Sequence, residues 1–245
     1  MSFITLTGVR LFAVGADLTG ASNKAELSSE YEEKDKTTYG SSGWKEVMAG
    51  LGSAEVGAEG FWEAGDASKV DDASWSQIGG SGPWTIAPVA ATPGDLAYLV
   101  KAMRCDYNFG GQVGDIAPYK AKAVSTWPLA RGVIAHNPAT ARTSSGNGGT
   151  GANLGAVAAG QRLYASLHVL SVSGTTPTLD VTIESDSANT FGSPITQLTF
   201  TQANSISGQI LRTDGTAITD TWFRATWTIA GTSPSFLFAM AFGIK

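Results

Sequence analysis

The chain has 245 residues, 42% of them apolar, with 7 Trp and 10 Phe, enough to bury one large β core or two ordinary ones. Charged residues are only 15% of the chain, against about 25% in an average soluble domain, so Ser, Thr, Asn, Gln, Gly or neighbouring subunits must cover the surface. A net charge of −5 and a single cysteine exclude a basic nucleic-acid reader, an intrachain disulfide and a thiolate zinc site.

Charge is unevenly spread. Residues 1–132 hold 16 acidic and 11 basic side chains, and residues 133–245 hold 5 of each, which suggests two modules, 1–136 and 137–245. The first residues lack a basic region ahead of an apolar stretch, and no window reaches the roughly 18–20 apolar residues of a membrane span. No secretory signal and no membrane insertion are expected.

In chain order, Ile4, Leu6, Val9, Leu11 and Ala13 alternate weakly and predict an early strand ending at Gly15, with Ala25–Leu27 as a short second one. A long arm then runs over about 28–60. It is charged and Gly-rich at first, yet it carries Tyr31, Tyr39 and Trp44, with Phe61 and Trp62 directly after it, too many aromatics for a disordered segment. Trp44, Val47, Met48 and Leu51 fit one side of one or two helical turns ended by Gly50 or Gly52, and residues 54–64 read as a strand. A short helix is predicted over about 66–78, with Asp66 as N-cap and Trp75 and Ile78 on its apolar face.

Strands follow over 96–108 and 113–127. In the second, Tyr119, Ala121 and Ala123 alternate with Lys120 and Lys122, the period of a half-buried strand. Residues 131–136 form a further short strand. Cys105 falls in the first run and is read as a buried, inert thiol. Residues 138–160 are small, polar and Gly-rich, a linker or the exposed start of a new module. Beyond them alternation is strong at 163–169, 179–184, 195–201, 223–229 and 236–244, with turns read at Ser173-Gly174-Thr175 and Ala230-Gly231-Thr232. The fold class is mainly β: an N-terminal two-sheet sandwich or barrel with one short flanking helix and a long loop, then an antiparallel jelly-roll-like sandwich.

Catalytic residue types are scarce. His136 and His168 have no Ser–His–Asp set around them, no phosphate loop or H-E-x-x-H helix occurs, and the adjacent acids Glu32-Glu33 and Asp71-Asp72 read as solvated charge. Asp186-x-x-Asn189 specifies too few oxygens for calcium. No catalytic residue, cofactor or metal site is expected.

The arm carries a resemblance. Asp35-Lys36-Thr37-Thr38-Tyr39-Gly40, then Gly43-Trp44-Lys45-Glu46, then Gly50-Leu51, then Gly60-Phe61-Trp62 resembles the major tail (tail tube) proteins of long-tailed, non-contractile, lambda-like siphophages. The resemblance spans roughly residues 1–132. Gly160-Gln161-Arg162-Leu163-Tyr164-Ala165 and Gly231-Thr232-Ser233-Pro234-Ser235-Phe236 look like the β-sandwich extensions on some such proteins. It implies a non-enzymatic virion protein whose six copies close into a ring, whose rings stack into a tube, and whose lumen passes DNA during ejection without sequence-specific binding. Tape-measure and terminator or tip proteins are the implied partners, with synthesis in the host bacterial cytoplasm.

Within the arm, Tyr31, Lys34, Asp35, Lys36, Thr37, Thr38, Tyr39, Trp44, Lys45, Glu46, Met48 and Leu51 are the expected subunit-interface residues. The aromatics would anchor the contact and the charges would set its register. The alternative reading is a virion-surface or secreted sandwich that binds glycans through exposed aromatics such as Tyr164, Trp222 or Trp227, although Trp227 alternates in phase with Phe223 and Ile229 and reads as core.

Overall fold

In the computed structural model residues 5–65 and 69–245 are described. The fold is mainly β and antiparallel. Its strands are β1 (Arg10–Ala13), β2 (Ala16–Asp17), β3 (Ser22–Asp35), β4 (Val47–Phe61), β5 (Ser81–Ala87), β6 (Leu96–Arg104), β7 (Asn108–Phe109), β8 (Pro118–Ser125), β9 (Ala130–His136), β10 (Gly146–Asn147), β11 (Ala152–Asn153), β12 (Leu163–Asp186), β13 (Ile195–Thr199), β14 (Ser207–Arg212) and β15 (Trp222–Ile244). One helix among the described residues, α1, covers Val70–Gln77.

A continuous path of pairing, β13-β12-β15-β9-β6-β5-β1-β2, links both halves of the chain, and β8, β4 and β3 branch from β6. Ala58, Val56, Ala121 and Ala123 on β4 and β8 pack against Leu11, Ala13, Trp84, Val100 and Ala102 on the β1–β5–β6 side, with Val70 and Ala73 of α1 joining them. Alternation places Lys120 and Lys122 on the opposite, solvent face, as the period-2 pattern predicts.

The C-terminal half is built from two very long strands. β12 and β15 pair from Leu163↔Ile244 to Asp186↔Trp222, with register shifts near the middle. Gly174 (φ 115°), Thr176 (φ 48°), Gly231 (φ 123°) and Ser233 (φ 49°) kink the ribbon there. The predicted turns are therefore bends inside paired strands. The ribbon folds back on itself, as Trp227 and Phe238 show: their ring centroids are 5.6 Å apart, although eleven residues of straight strand would separate them by about 36 Å. Leu179, Val181, Ile183 and Phe223 from one half thus meet Leu163, Leu167, Phe236 and Phe242 from the other in a single core. The outward residues Ala239 and Ala241 are buried too, against Phe12, Leu99, Ala130 and Ile134, because the first half of the chain covers that face.

Gly132 is required by this junction. It pairs with Gly243 across β9 and β15, and a Cβ at Gly132 would lie 1.9 Å from the Phe242 carbonyl oxygen. Gly132→Ala should cost about 1–3 kcal/mol, the usual range for overpacking, read as a lower urea midpoint at unchanged m.

Several expectations need correction. Trp44–Leu51 contains no helical turn; from Val47 onward the backbone is strand. Asp66 and Ile4 lie outside the described residues, and the described helix starts at Val70 after Lys69. Its buried residues are Val70, Ala73, Ser74 and Gln77, whereas Trp75 and Ile78 are exposed. Gln77 Nε2 donates to the Ala13 carbonyl at 3.1 Å, so the helix docks through small and polar groups. Cys105 is exposed, because β6 ends at Arg104 and the buried position goes to Arg104.

Candidate self-assembly surface

The arm is a two-stranded β-hairpin. β3 and β4 pair from Ser22↔Gly60 to Asp35↔Val47, about 45 Å of ribbon at strand rise. Only its base is supported: β8 pairs with β4 over Glu55–Phe61, Ala54 N–H donates to Ser125 Oγ at 2.8 Å, and beyond that β3 and β4 have no other strand partner among the described residues. An isolated two-stranded ribbon is marginal in water, so this one relies on its own cross-links.

Those cross-links come from the motif residues. Lys36 N–H donates to the Glu46 carbonyl at 2.9 Å, closing the last rung. Asp35 Oδ1 accepts the Thr37 N–H at 2.8 Å. Contacts from the Thr37 hydroxyl and N–H hold the Asp35 carboxyl below its ordinary pKa. Thr37 Oγ1 also accepts the Glu46 N–H at 2.9 Å. Thr38 caps the 3₁₀ turn Tyr39–Ser41: its Oγ1 accepts from Gly40 N–H and its own N–H donates to Ser41 Oγ. Ser42 (φ 51°) and Gly43 (φ 83°) then reverse the chain. Asp35, Thr37 and Thr38 thus spend their polar atoms inside the loop.

The lysines are also committed locally. Lys34 pairs with Glu32 at 2.6 Å, Lys36 with Glu46 at 3.5 Å, and Lys45 with Glu33. The Glu33 hydrogen bond raises the Lys45 pKa above its ordinary value. Exposed pairs of this kind contribute little stability, but they fix where the charges sit.

The large apolar side chains are not covered. Tyr39 is 110% exposed, Leu51 82% and Trp44 80%, and Tyr31, Met48 and Val47 are exposed as well. Tyr31 lies over its partner Gly52, where a Cβ would come within 2.9 Å of the ring. Of the twelve arm residues singled out in the sequence, all are exposed and all lie on this ribbon or its tip; none folds back onto the chain's own sheet.

The polar face of β3, β4 and β8 carries a ladder of ion pairs: Lys24–Glu26, Lys120–Glu59 at 3.1 Å and Lys122–Glu55 at 2.9 Å. The hydrogen bond from Lys120 lowers the Glu59 pKa, and that from Glu55 raises the Lys122 pKa. A second exposed apolar surface, which sequence reading missed, lies beside α1. Trp75 packs edge-on to Tyr107, Trp62 tilts against Phe109, and Asp71 accepts hydrogen bonds from Trp62 Nε1 and the Tyr107 hydroxyl. Phe109, Val113 and Ile116 are exposed next to it in sequence. Their mutual spacing fits neither helix nor strand, so periodicity carried no signal of it.

The glycan reading loses Tyr164, and Trp227 is core as its phase with Phe223 and Ile229 predicts. Tyr164 and Trp227 are buried in the core, and Trp222 is only half-exposed, so they offer no open platform for a sugar ring. Among the described residues no group of His, Cys, Asp or Glu is arranged to hold a metal ion, and no helix is long and apolar enough to cross a membrane.

No protein-family model matches the sequence, and a search of curated proteins finds no match. Solved structures with a similar backbone are parts of phage tails and related injection systems. One is the tail of an empty gene transfer agent particle refined with C6 helical symmetry, 21% identical with a TM-score of 0.39, covering 49% of this chain and 91% of that one. The SPP1 tail tube is 11% identical with a TM-score of 0.41, covering 51% and 74%. The SPP1 Dit protein, described as a paradigm of the hub adsorption apparatus, is 12% identical with a TM-score of 0.36, and covers 97% of this chain and 99% of that one.

Proposed function

We propose that this chain is a structural virion protein of a phage tail, which polymerises as stacked hexameric rings into the tube that conducts DNA. In this reading residues 1–136 form the tube module and residues 137–245 an added sandwich. The tape-measure, terminator and tip proteins are its further partners.

The observation that carries the reading is the uncovered hairpin. A ribbon with three exposed aromatics and exposed Met48 and Leu51, anchored only at its base, is costly for a monomer and fits an interface. Its motif residues shape the tip while Tyr39 and Trp44 stay free to anchor a contact. The outer edge of β3, unpaired among the described residues, also offers backbone donors and acceptors for strand pairing with another copy.

The test is assembly of the purified protein. Sedimentation velocity and negative-stain microscopy should show concentration-dependent rings or tubes of uniform width. A protein that stays monomeric at high concentration, with no tubes in virions carrying it, would overturn the reading.

A further inference from the structure

We infer that the cationic indole platform at Trp127 is the seat for the acidic hairpin of a second copy of this chain. This rests on the self-assembly reading and names the surface that receives the arm.

Trp127 follows the end of β8 and is half-buried. The Lys101 ammonium lies 4.7 Å from the centroid of its ring and the Arg212 guanidinium 4.3 Å. These two cations come from β6 and β14, one from each half of the chain, and each gains from the electron-rich ring. Neither has a carboxylate within ion-pair distance among the described residues, whereas every lysine of the hairpin does. Two like charges held at one ring repel each other, and a carboxylate arriving there would be attracted by both. A shallow depression bordered by Trp127, Pro128, Leu129 and Lys245 adjoins them.

The hairpin is the complement. Residues 30–46 hold five carboxylates and three lysines, a net of −2. The three lysines pair with Glu32, Glu33 and Glu46, which leaves Glu30 without a basic partner, while the Asp35 carboxyl is held by Thr37 within its own loop. The tip aromatics Tyr39 and Trp44 are exposed on the same ribbon and supply apolar surface to lie on the indole.

The chain's own tip does not reach the platform. Ser29, Tyr31 and Gly52 border the depression at the root, Glu30 does not because alternation turns it to the opposite face of β3, and the paired strands carry the tip outward in fixed register. The occupant is therefore another molecule.

Charge reversal tests this. Variant A carries Lys101→Glu and Arg212→Glu, and variant B carries Glu30→Lys and Glu32→Lys. Each should fold, by circular dichroism and thermal melting, yet fail to pellet under conditions where the parent assembles. Each then presents the same sign on hairpin and platform. Mixed in equal amounts, A and B should co-assemble, because the hairpin of each meets an opposite platform on the other.

Should variant A prove unable to fold, the neutral pair Lys101→Gln and Arg212→Gln should raise the critical concentration at least tenfold. Assembly of A or B alone at the parent's critical concentration, or no assembly of the mixture, would overturn the inference while leaving tube formation standing. Failure of the parent itself to assemble would instead remove the reading beneath it.

Discussion

Replacing residues 37–45 by Asn-Gly should leave a folded protein with a melting temperature within a few degrees of the parent, and no assembly at any accessible concentration. The cut is placed where the ribbon closes: Lys36 N–H already donates to the Glu46 carbonyl, and Asn-Gly is the preferred two-residue hairpin turn. Apart from Ser41 the removed residues are exposed, and none belongs to the three hydrophobic clusters, so little folding energy leaves with them. What leaves is the pair of free aromatic anchors, Tyr39 and Trp44, the residue types that dominate interface energetics, with losses of about 2 kcal/mol or more for each hot spot truncated. Trp44→Ala alone should therefore raise the critical concentration by about thirtyfold or more, 1.4 kcal/mol being a factor of ten. Melting curves and sedimentation on the same samples separate the outcomes. Unfolding of the excised chain would mean that the arm serves the monomer's own stability.

How far the sequence reveals this depends on whether a residue's partner is near in the chain. The alternations at Tyr119–Ala123 and Phe223–Ile229 were legible because one face of each strand meets a core, and Phe236–Phe242 because aromatic and small residues alternate there. The arm was legible as an exposed segment rich in aromatics, but its backbone was not. Val47, Met48 and Leu51 are spaced as on a helix face, yet no core receives that face. Pairing of Met48 with Lys34 and Ala49 with Glu33 decides the local structure instead. A charged strand such as Ser22–Asp35 lacks the apolar pattern that marks most strands, and its partner lies across a reversal built from Thr38 and Gly43 side-chain and backbone chemistry.

The helix shows a related failure. Trp75 and Ile78 are apolar but point outward, since Ala73, Ser74 and Gln77 are small or polar enough to sit against the Ala13 end of β1. The kinked ribbon misled in a different way. Gly174 and Gly231 have the composition of turns, and each does redirect its strand, but the two bends face each other in register, Thr175 against Thr232. Only long-range pairing makes two bends into one fold-back. The platform at Trp127 is less visible still, because Lys101 and Arg212 are far apart in sequence and only the strand order brings them to one ring.

Acid should unfold this protein through its two histidines, beginning below pH 6.5. His168 is fully buried. Its Nε2 lies 2.9 Å from Thr85 Oγ1 and its Nδ1 accepts the Gly15 N–H at 3.5 Å, so the proton sits on Nε2 and the ring is neutral. His136 has the opposite tautomer. Arg142 Nε–H donates to its Nε2 at 3.0 Å, and its own Nδ1–H donates to the Phe238 carbonyl at 2.9 Å. A second proton would set the His136 ring against the guanidinium. Burial lowers the pKa of His136 to about 4 and that of His168 to about 3. The unfolded chain, with histidines near 6.5, binds more protons than the folded one between those values. Stability is therefore complete above pH 6.5 and is lost as pH falls towards 4 and 3. The loss is on the order of 4 kcal/mol at pH 5 and 6 kcal/mol at pH 4 for the two rings together, a large part of the roughly 5–15 kcal/mol that holds a typical domain. Urea midpoints measured every half unit from pH 8 to 5 should fall steadily below 6.5, in a window above the range in which the lowered carboxylates Asp35, Glu59, Asp186 and Asp214 take up protons. His136→Gln with His168→Gln should flatten that slope whatever it does to stability at pH 8. A slope unchanged in the double variant would place the acid sensitivity elsewhere in the molecule.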